Sequence, residues 1–223
     1  MPSRRSVRAV SPVVWVLLGS ALACKAEAPE PESKPAAEPA VAAEPEAATA
    51  PVAELEAGKA HARAMIQAFA KQLQTTLLEA IEAGGPASAI GVCKLEAPMI
   101  TAKQAADGWV LARTALKVRN PGNAANEWQR PVLDAWQAQI SAGEVADVAA
   151  LDWAEVVETD AGPQLRYMKA IPLGGVCLAC HGPADQLTPE VTAALAEGYP
   201  DDQATGFEVG QLRGAFVVTG PLR

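Results

Sequence analysis

Histidine is almost missing from this chain: His61 and His181 are its whole supply, beside four cysteines, Cys24, Cys93, Cys177 and Cys180. So small a stock argues against a structural zinc site, which usually takes two separated ligand pairs, whereas Cys180 and His181 are adjacent and make awkward joint ligands even with Cys93 added. Long apolar runs are missing too. Val13-Val14-Trp15-Val16-Leu17-Leu18 is too short to span a bilayer comfortably, and no other candidate span follows it. Excess positive charge is absent: 18 Lys and Arg stand against 26 Asp and Glu, a net charge of -8, which disfavours nucleic acid as a partner. There is no internal repeat, no βαβ pattern around the cysteines, and no kinase, methyl-accepting or other output domain. A sensor built on this chain would therefore act through a separate partner.

What is present is concentrated in Gly174-Gly175-Val176-Cys177-Leu178-Ala179-Cys180-His181-Gly182. Cys-x-x-Cys-His is the attachment signature of a c-type haem. Two thiols spaced by two residues can add to the two vinyl groups of one porphyrin, while the next imidazole reaches the iron from one face. Cys177 and Cys180 are thus expected to form thioethers to a single haem c, with His181 as the iron ligand, and the flanking glycines would let the backbone lie close to the flat macrocycle. A thioredoxin-like redox pair would be expected to open a helix within a βαβ unit. An ordinary disulfide is the remaining plain alternative.

Covalent haem requires export, and the start of the chain provides for it. Met1 to Ala23 reads as a signal peptide, with Arg4, Arg5 and Arg8 as the basic leader ahead of the short apolar core. Ala21-Leu22-Ala23 is an Ala-x-Ala cleavage site, and the next residue, Cys24, is equally the lipidated residue of a bacterial lipoprotein, although that pattern prefers Leu where Ala21 stands. The expected location is periplasmic or extracytoplasmic, with an outer-membrane lipid anchor if Cys24 is modified. Losing the three leader arginines takes the net charge from -8 to -11, so a basic or neutral partner is favoured. Residues 24–53, dominated by Ala, Pro and Glu as in Pro29-Glu30-Pro31-Glu32, have little to bury and read as a disordered tether.

Residues 54–223 suffice for one domain with a real core. Leu55, Ala62, Met65, Ile66, Phe69, Leu73 and Leu77 recur at helical spacing and predict a helix over 54–83, stopped by Gly84-Gly85-Pro86. A second helix is expected over 87–106. Its apolar face includes Ala89, Ile90, Cys93, Ala97 and Ile100, so Cys93 is either a buried core cysteine or a ligand for the second face of the iron. His61, Met65, Met99 and Met168 are further candidates for that position, and a Met ligand would raise the reduction potential. Residues 109–118 read as a strand with Arg113 and Lys117 on one face, followed by a turn at Arg119-Asn120-Pro121-Gly122-Asn123. Asn126 caps the next helix, whose stripe of Trp128, Val132, Leu133, Trp136 and Ile140 is either plain core or a haem-pocket wall. Strands are expected over 148–158, 164–173 and 213–219, the last buried in the sheet, with a short helix over 187–198. The composite is α+β, an antiparallel sheet with long N-terminal helices packed on it.

The ordered set of Ala89-Ile90-Gly91-Val92-Cys93 with Ala97-Pro98, Arg113-Thr114, Arg119-Asn120-Pro121-Gly122-Asn123 with Glu127-Trp128, the Cys-x-x-Cys-His segment, and Gly206-Phe207 with Gly210-Gln211-Leu212-Arg213-Gly214-Ala215-Phe216 resembles the Tll-type c-haem domain family. The resemblance covers nearly all of the chain from the first helix onward. It implies a PAS-like sheet, a single covalent haem, and His and Cys as the axial pair, which fall here on His181 and Cys93. A thiolate ligand would lower the reduction potential, and its loss on reduction would open a site for a small gas. Arg113 and Arg119 are candidate partners of the haem propionates, surface salt bridges being the simpler role. The functions implied are one-electron transfer by an exported monohaem cytochrome-like protein with an unidentified redox partner or, alternatively, redox or diatomic-gas sensing. No distinct distal acid–base motif marks the chain as an enzyme.

Overall fold

The computed structural model describes residues 50–103 and 106–222, without the side chains of a few helical residues, Cys93 among them. The expectations for the signal peptide, for Cys24 and for the tether up to residue 49 lie outside the described residues.

The first helical stretch, α1 (Ala50–Lys103), is broken as Gly84-Gly85-Pro86 dictates: Gly84 and Gly85 leave helical geometry, and Gly85 takes a φ of 75° that favours glycine. Proline at 86 keeps the preceding residue out of the helical region. The Ser88 hydroxyl lies 2.6 Å from the Ala80 carbonyl, compensating an acceptor that the break would otherwise strand. The helix begins at Ala50, four residues ahead of the expected start, with Pro51 suited to its first turn. It ends at Lys103, and Ala106 instead bridges to Trp109.

Four strands follow: β1 (Val110–Thr114), β2 (Asp152–Thr159), β3 (Gly162–Pro172) and β4 (Leu212–Pro221). They form one antiparallel sheet in the order β1-β4-β3-β2, so the last strand is central, as its apolar β-branched composition predicts. Alternation along β3 and β4 sends residues to opposite faces. Leu165, Tyr167 and Val218 join Ala62, Met65, Ile66 and Phe69 of α1 in one core. Met168, Ala170, Ala215 and Val217 join Val132, Leu133 and Trp136 of α2 (Gln129–Ser141) in another. The α2 stripe is therefore core on the far side of the sheet from α1. Asn126 and Gln129 cap its approach reciprocally, each side chain accepting from the other's backbone N–H, at 3.1 and 3.3 Å.

Two strands are shorter than their sequences suggest. β1 stops at Thr114, so Arg113 and Lys117 do not share a strand face, and Ala115 pairs with Ala124 instead. Residues 148–150 form a 3-10 turn because Asp147 accepts a hydrogen bond from Ala149 N at 2.8 Å, and β2 begins only at Asp152.

Beneath the first arm of α1, the Tyr167 hydroxyl donates to Asp152 at 2.8 Å and accepts from Arg63 Nε at 3.1 Å. Burial, and then the bond to the Asp152 carboxylate, push the Tyr167 phenol up to about 12 from 10.0. The folded state thus keeps a proton that the unfolded chain loses near pH 10, so stability is expected to fall as pH rises from about 10 to 12. Unfolding midpoints for the native protein and Tyr167→Phe check this. The variant is expected to show a shallower alkaline decline, and parallel profiles would refute it.

Candidate functional site

Between α1 and the β1–β4 end of the sheet lies a cleft enclosing about 970 Å³, open mouth included. Leu73 and Leu77 of α1 face it, with Arg113 and Phe216 on the sheet side and Cys177 and His181 on a third wall.

The third wall is built locally. β3 runs out at Pro172, Gly175–Cys177 makes a 3-10 turn, and α3 (Leu178–His181) adds one helical turn. Helical spacing brings residues three and four apart to one side, and Cys177 and His181 accordingly both line the cleft. No disulfide joins Cys177 to Cys180. The Cys180 sulfur sits 3.8 Å from the Pro86 carbonyl, beside the break in α1, and packs against the cluster of Ile90 and Val191. Gly182 closes the turn by donating to the Leu178 carbonyl at 2.9 Å, and a Cβ there would come within 2.7 Å of that oxygen. Its role is this close backbone approach, whereas Gly175 faces open space.

His181 is held from behind by the segment between α4 (Pro189–Gly198) and β4. Its Nδ1 lies 2.6 Å from the Ala204 carbonyl. A carbonyl only accepts, so Nδ1 carries the proton and Nε2 keeps its lone pair. Phe207 N donates to the His181 carbonyl at 3.0 Å and Gly206 N to the Gly182 carbonyl at 2.8 Å, stitching the two segments together. The Phe207 ring meets the imidazole edge-on, with centroids 6.5 Å apart. Burial, together with the positive charges of Arg213 and Arg119, pushes the imidazole down to about 3, so His181 is neutral at physiological pH.

The two arginines expected near propionates part company. Arg113 stands on the cleft wall with its guanidinium 5.6 Å from the Phe69 ring centroid. Arg119 also reaches the cleft, but its side chain is only 7% exposed, paired at 3.0 Å with an Asp202 that is 9% exposed, and it donates to the Cys180 carbonyl at 2.6 Å. Sequence reasoning assigned no role to Arg213, which lines the cleft and donates from Nη1 to the Lys117 carbonyl at 3.1 Å. Its place in Gly210-Gln211-Leu212-Arg213-Gly214 was the available signal. Asp202 and Ala204 were missed for want of any signal, since both act through contacts distant in sequence. Thr114, on the same wall, is 3% exposed, and its hydroxyl has no hydrogen-bond partner among the described residues.

The alternative ligands fall elsewhere. His61 is exposed and its ring lies tilted against Trp109 with centroids 4.5 Å apart, Met65 and Met168 lie in the two cores, and Met99 is 49% exposed. Cys93 belongs to the second arm of α1 in the row of buried Ile90, Ala97 and Ile100; its side chain lies outside the described residues.

The model of the Tll0287-like family matches residues 46–221. Among solved structures, the crystal structure of the cyanobacterial heme-protein Tll0287 is 24% identical, over 74% of this chain and 94% of that one, with a TM-score of 0.48. No curated protein matches.

Proposed function

As the chain belongs to the Tll0287-like family, whose namesake is a heme-protein, we propose that it is an exported monohaem c-type protein that carries one electron at a time. The observation that carries this reading is His181: a neutral imidazole on the cleft wall, its Nδ1–H fixed to the Ala204 carbonyl and its Nε2 lone pair left for a metal. The surroundings fit the group. The thiols of Cys177 and Cys180 would supply two thioether bonds, the apolar side chains of Leu73, Leu77 and Phe216 suit a macrocycle, and Arg113 and Arg213 suit its carboxylates.

A haem c held there supplies one-electron chemistry at its iron. His181 Nε2 would hold the metal, and Cys93 is proposed as a second ligand, as the His and Cys pair of the resemblance implies. A thiolate ligand would hold the potential low. The same reading makes the chain a carrier and not an enzyme. Export through the signal peptide, with or without lipid on Cys24, belongs to the same reading.

The test is an optical and low-temperature spin-resonance comparison of ferric and ferrous holoprotein for the native chain and Cys93→Ala. A low-spin ferric thiolate signature that disappears in the variant is expected. An unchanged spectrum removes Cys93 from the iron. A chain exported in a host that matures c-type proteins and recovered without covalent haem overturns the whole reading. Ready binding of carbon monoxide by the native ferrous protein, with loss of the thiolate, would favour sensing over electron carriage.

A further inference from the structure

Arg119, Asp202 and Ala204 form one connected unit behind the imidazole. Arg119 donates to Asp202 Oδ2 through Nε at 3.1 Å, and its Nη2 stands 3.0 Å from the same oxygen as an ion pair. Asp202 Oδ1 accepts from Ala204 N at 2.8 Å, and the Ala204 carbonyl accepts from His181 Nδ1 at 2.6 Å. The other end of the unit returns to the same place, because the Arg119 Nη2 bond to the Cys180 carbonyl at 2.6 Å grips the peptide unit that leads into His181. Ala204 is fully buried, and both its backbone polar groups are committed. A buried ion pair is seldom the most stabilising choice for a site of its size, since an apolar pair of similar volume usually does as well or better. Its presence here therefore asks for another reason, and its position behind one ring supplies one.

We infer that Arg119 and Asp202 are positioning residues for the metal-binding imidazole: they fix Ala204, and through it the orientation and hydrogen bonding of His181, and they set the local field that tunes the reduction potential. The inference rests on the proposed haem ligation by His181. Partners of this kind orient a ligand and adjust its donor strength, and in a poorly solvated site a compensated charge pair exerts a field that exposed charges do not. Arg119 thus acts at the His181 side of the cleft, while Arg113 and Arg213 remain as carboxylate partners.

The experiment is the midpoint potential of the haem-loaded full chain for four variants. Asp202→Asn removes a buried negative charge and leaves Arg119 uncompensated, so the potential is expected to rise. Arg119→Gln is expected to shift it the opposite way, and Arg119→Lys to restore much of the native value. Asp201→Asn makes the same charge change at the exposed neighbouring residue, and its shift is expected to be much smaller. Equal shifts in Asp202→Asn and Asp201→Asn overturn the inference even if stability falls. Exchange of the His181 Nδ1 proton in the unmutated holoprotein, followed by paramagnetic NMR, needs no variant to fold. Slow exchange is expected, and exchange at the rate of a solvent-exposed imidazole refutes the unit. Should the holoprotein's spectra show that His181 is off the iron, the proposed function fails first. Should His181 be on the iron and the potentials not discriminate, only the positioning role fails.

Discussion

Asp202→Ala is expected to destabilise the folded domain by about 3–5 kcal/mol, the loss that follows when one partner of a buried ion pair is removed. Its carboxylate accepts the Arg119 Nε–H and the Ala204 N–H and lies 3.0 Å from Arg119 Nη2, so truncation strands a buried guanidinium and a buried amide together. In a domain of this size that loss lowers the unfolding midpoint by on the order of 10 °C. The double variant Arg119→Met with Asp202→Leu is expected to lose clearly less than the sum of the single changes, because no uncompensated charge remains. Arg63 and Asp152, 2.8 Å apart, set the contrast: their side chains are 42% and 31% exposed, and Arg63→Met is expected to cost under about 1 kcal/mol of ion-pair energy. Thermal and urea unfolding of the haem-loaded chain distinguishes the cases. A loss below about 1 kcal/mol for Asp202→Ala would place the pair in effectively solvated surroundings and contradict its burial.

How much of this was legible in the sequence follows from how far each interaction reaches along the chain. The break at Gly84-Gly85-Pro86 and the Asn126 cap are decided by neighbours within a few residues, and the sequence expectation holds there. The buried central strand was legible because β4 carries apolar residues toward both faces. In contrast, the α2 stripe read equally well as core or as pocket wall, because helical spacing names a buried face without naming what covers it. The early end of β1 and the 3-10 turn at 148–150 depend on a cross-bridge to Ala124 and on one Asp147 bond, and β-branched composition overrides neither.

The site divides the same way. Cys177, Cys180 and His181 announce themselves through local spacing, and the structure brings Cys177 and His181 to one cleft. Arg119 stood in an apparently exposed turn, which suggested a hand extended toward a ligand. The partner that withdraws it from solvent is 83 residues away, in a segment whose Pro200-Asp201-Asp202 reads as an ordinary polar turn. A net charge of -8 likewise conceals that Arg113, Arg119 and Arg213 converge on one cleft. Sequence reports charge as a sum, whereas the fold decides where it is concentrated.

Gly214→Ala is expected to be the most damaging of the single-methyl changes near the cleft, because the glycine joins the sheet to the site. It lies in central β4, opposite Ile171 of β3, and faces the cleft beside Arg213 and Phe216. A Cβ at this position would overlap the Thr114 backbone oxygen and stand 3.0 Å from the Ala115 Cβ, where β1 ends and the chain turns toward Arg119. Relief requires moving backbone, since the obstructing oxygen belongs to no flexible side chain. Its φ of 157° adds conformational cost. Together these predict a loss of about 3 kcal/mol, at the upper end for an overpacked site. Gly210→Ala provides the comparison: its φ is 84°, but a Cβ there meets nothing within 4 Å, so only the left-handed penalty of about 1–2 kcal/mol applies. The difference between the two variants in urea unfolding measures the steric part. If Gly214→Ala costs no more than Gly210→Ala, the β1–β4 junction yields easily, and the wall carrying Arg113 and Arg213 cannot be the rigid support that a fixed macrocycle requires.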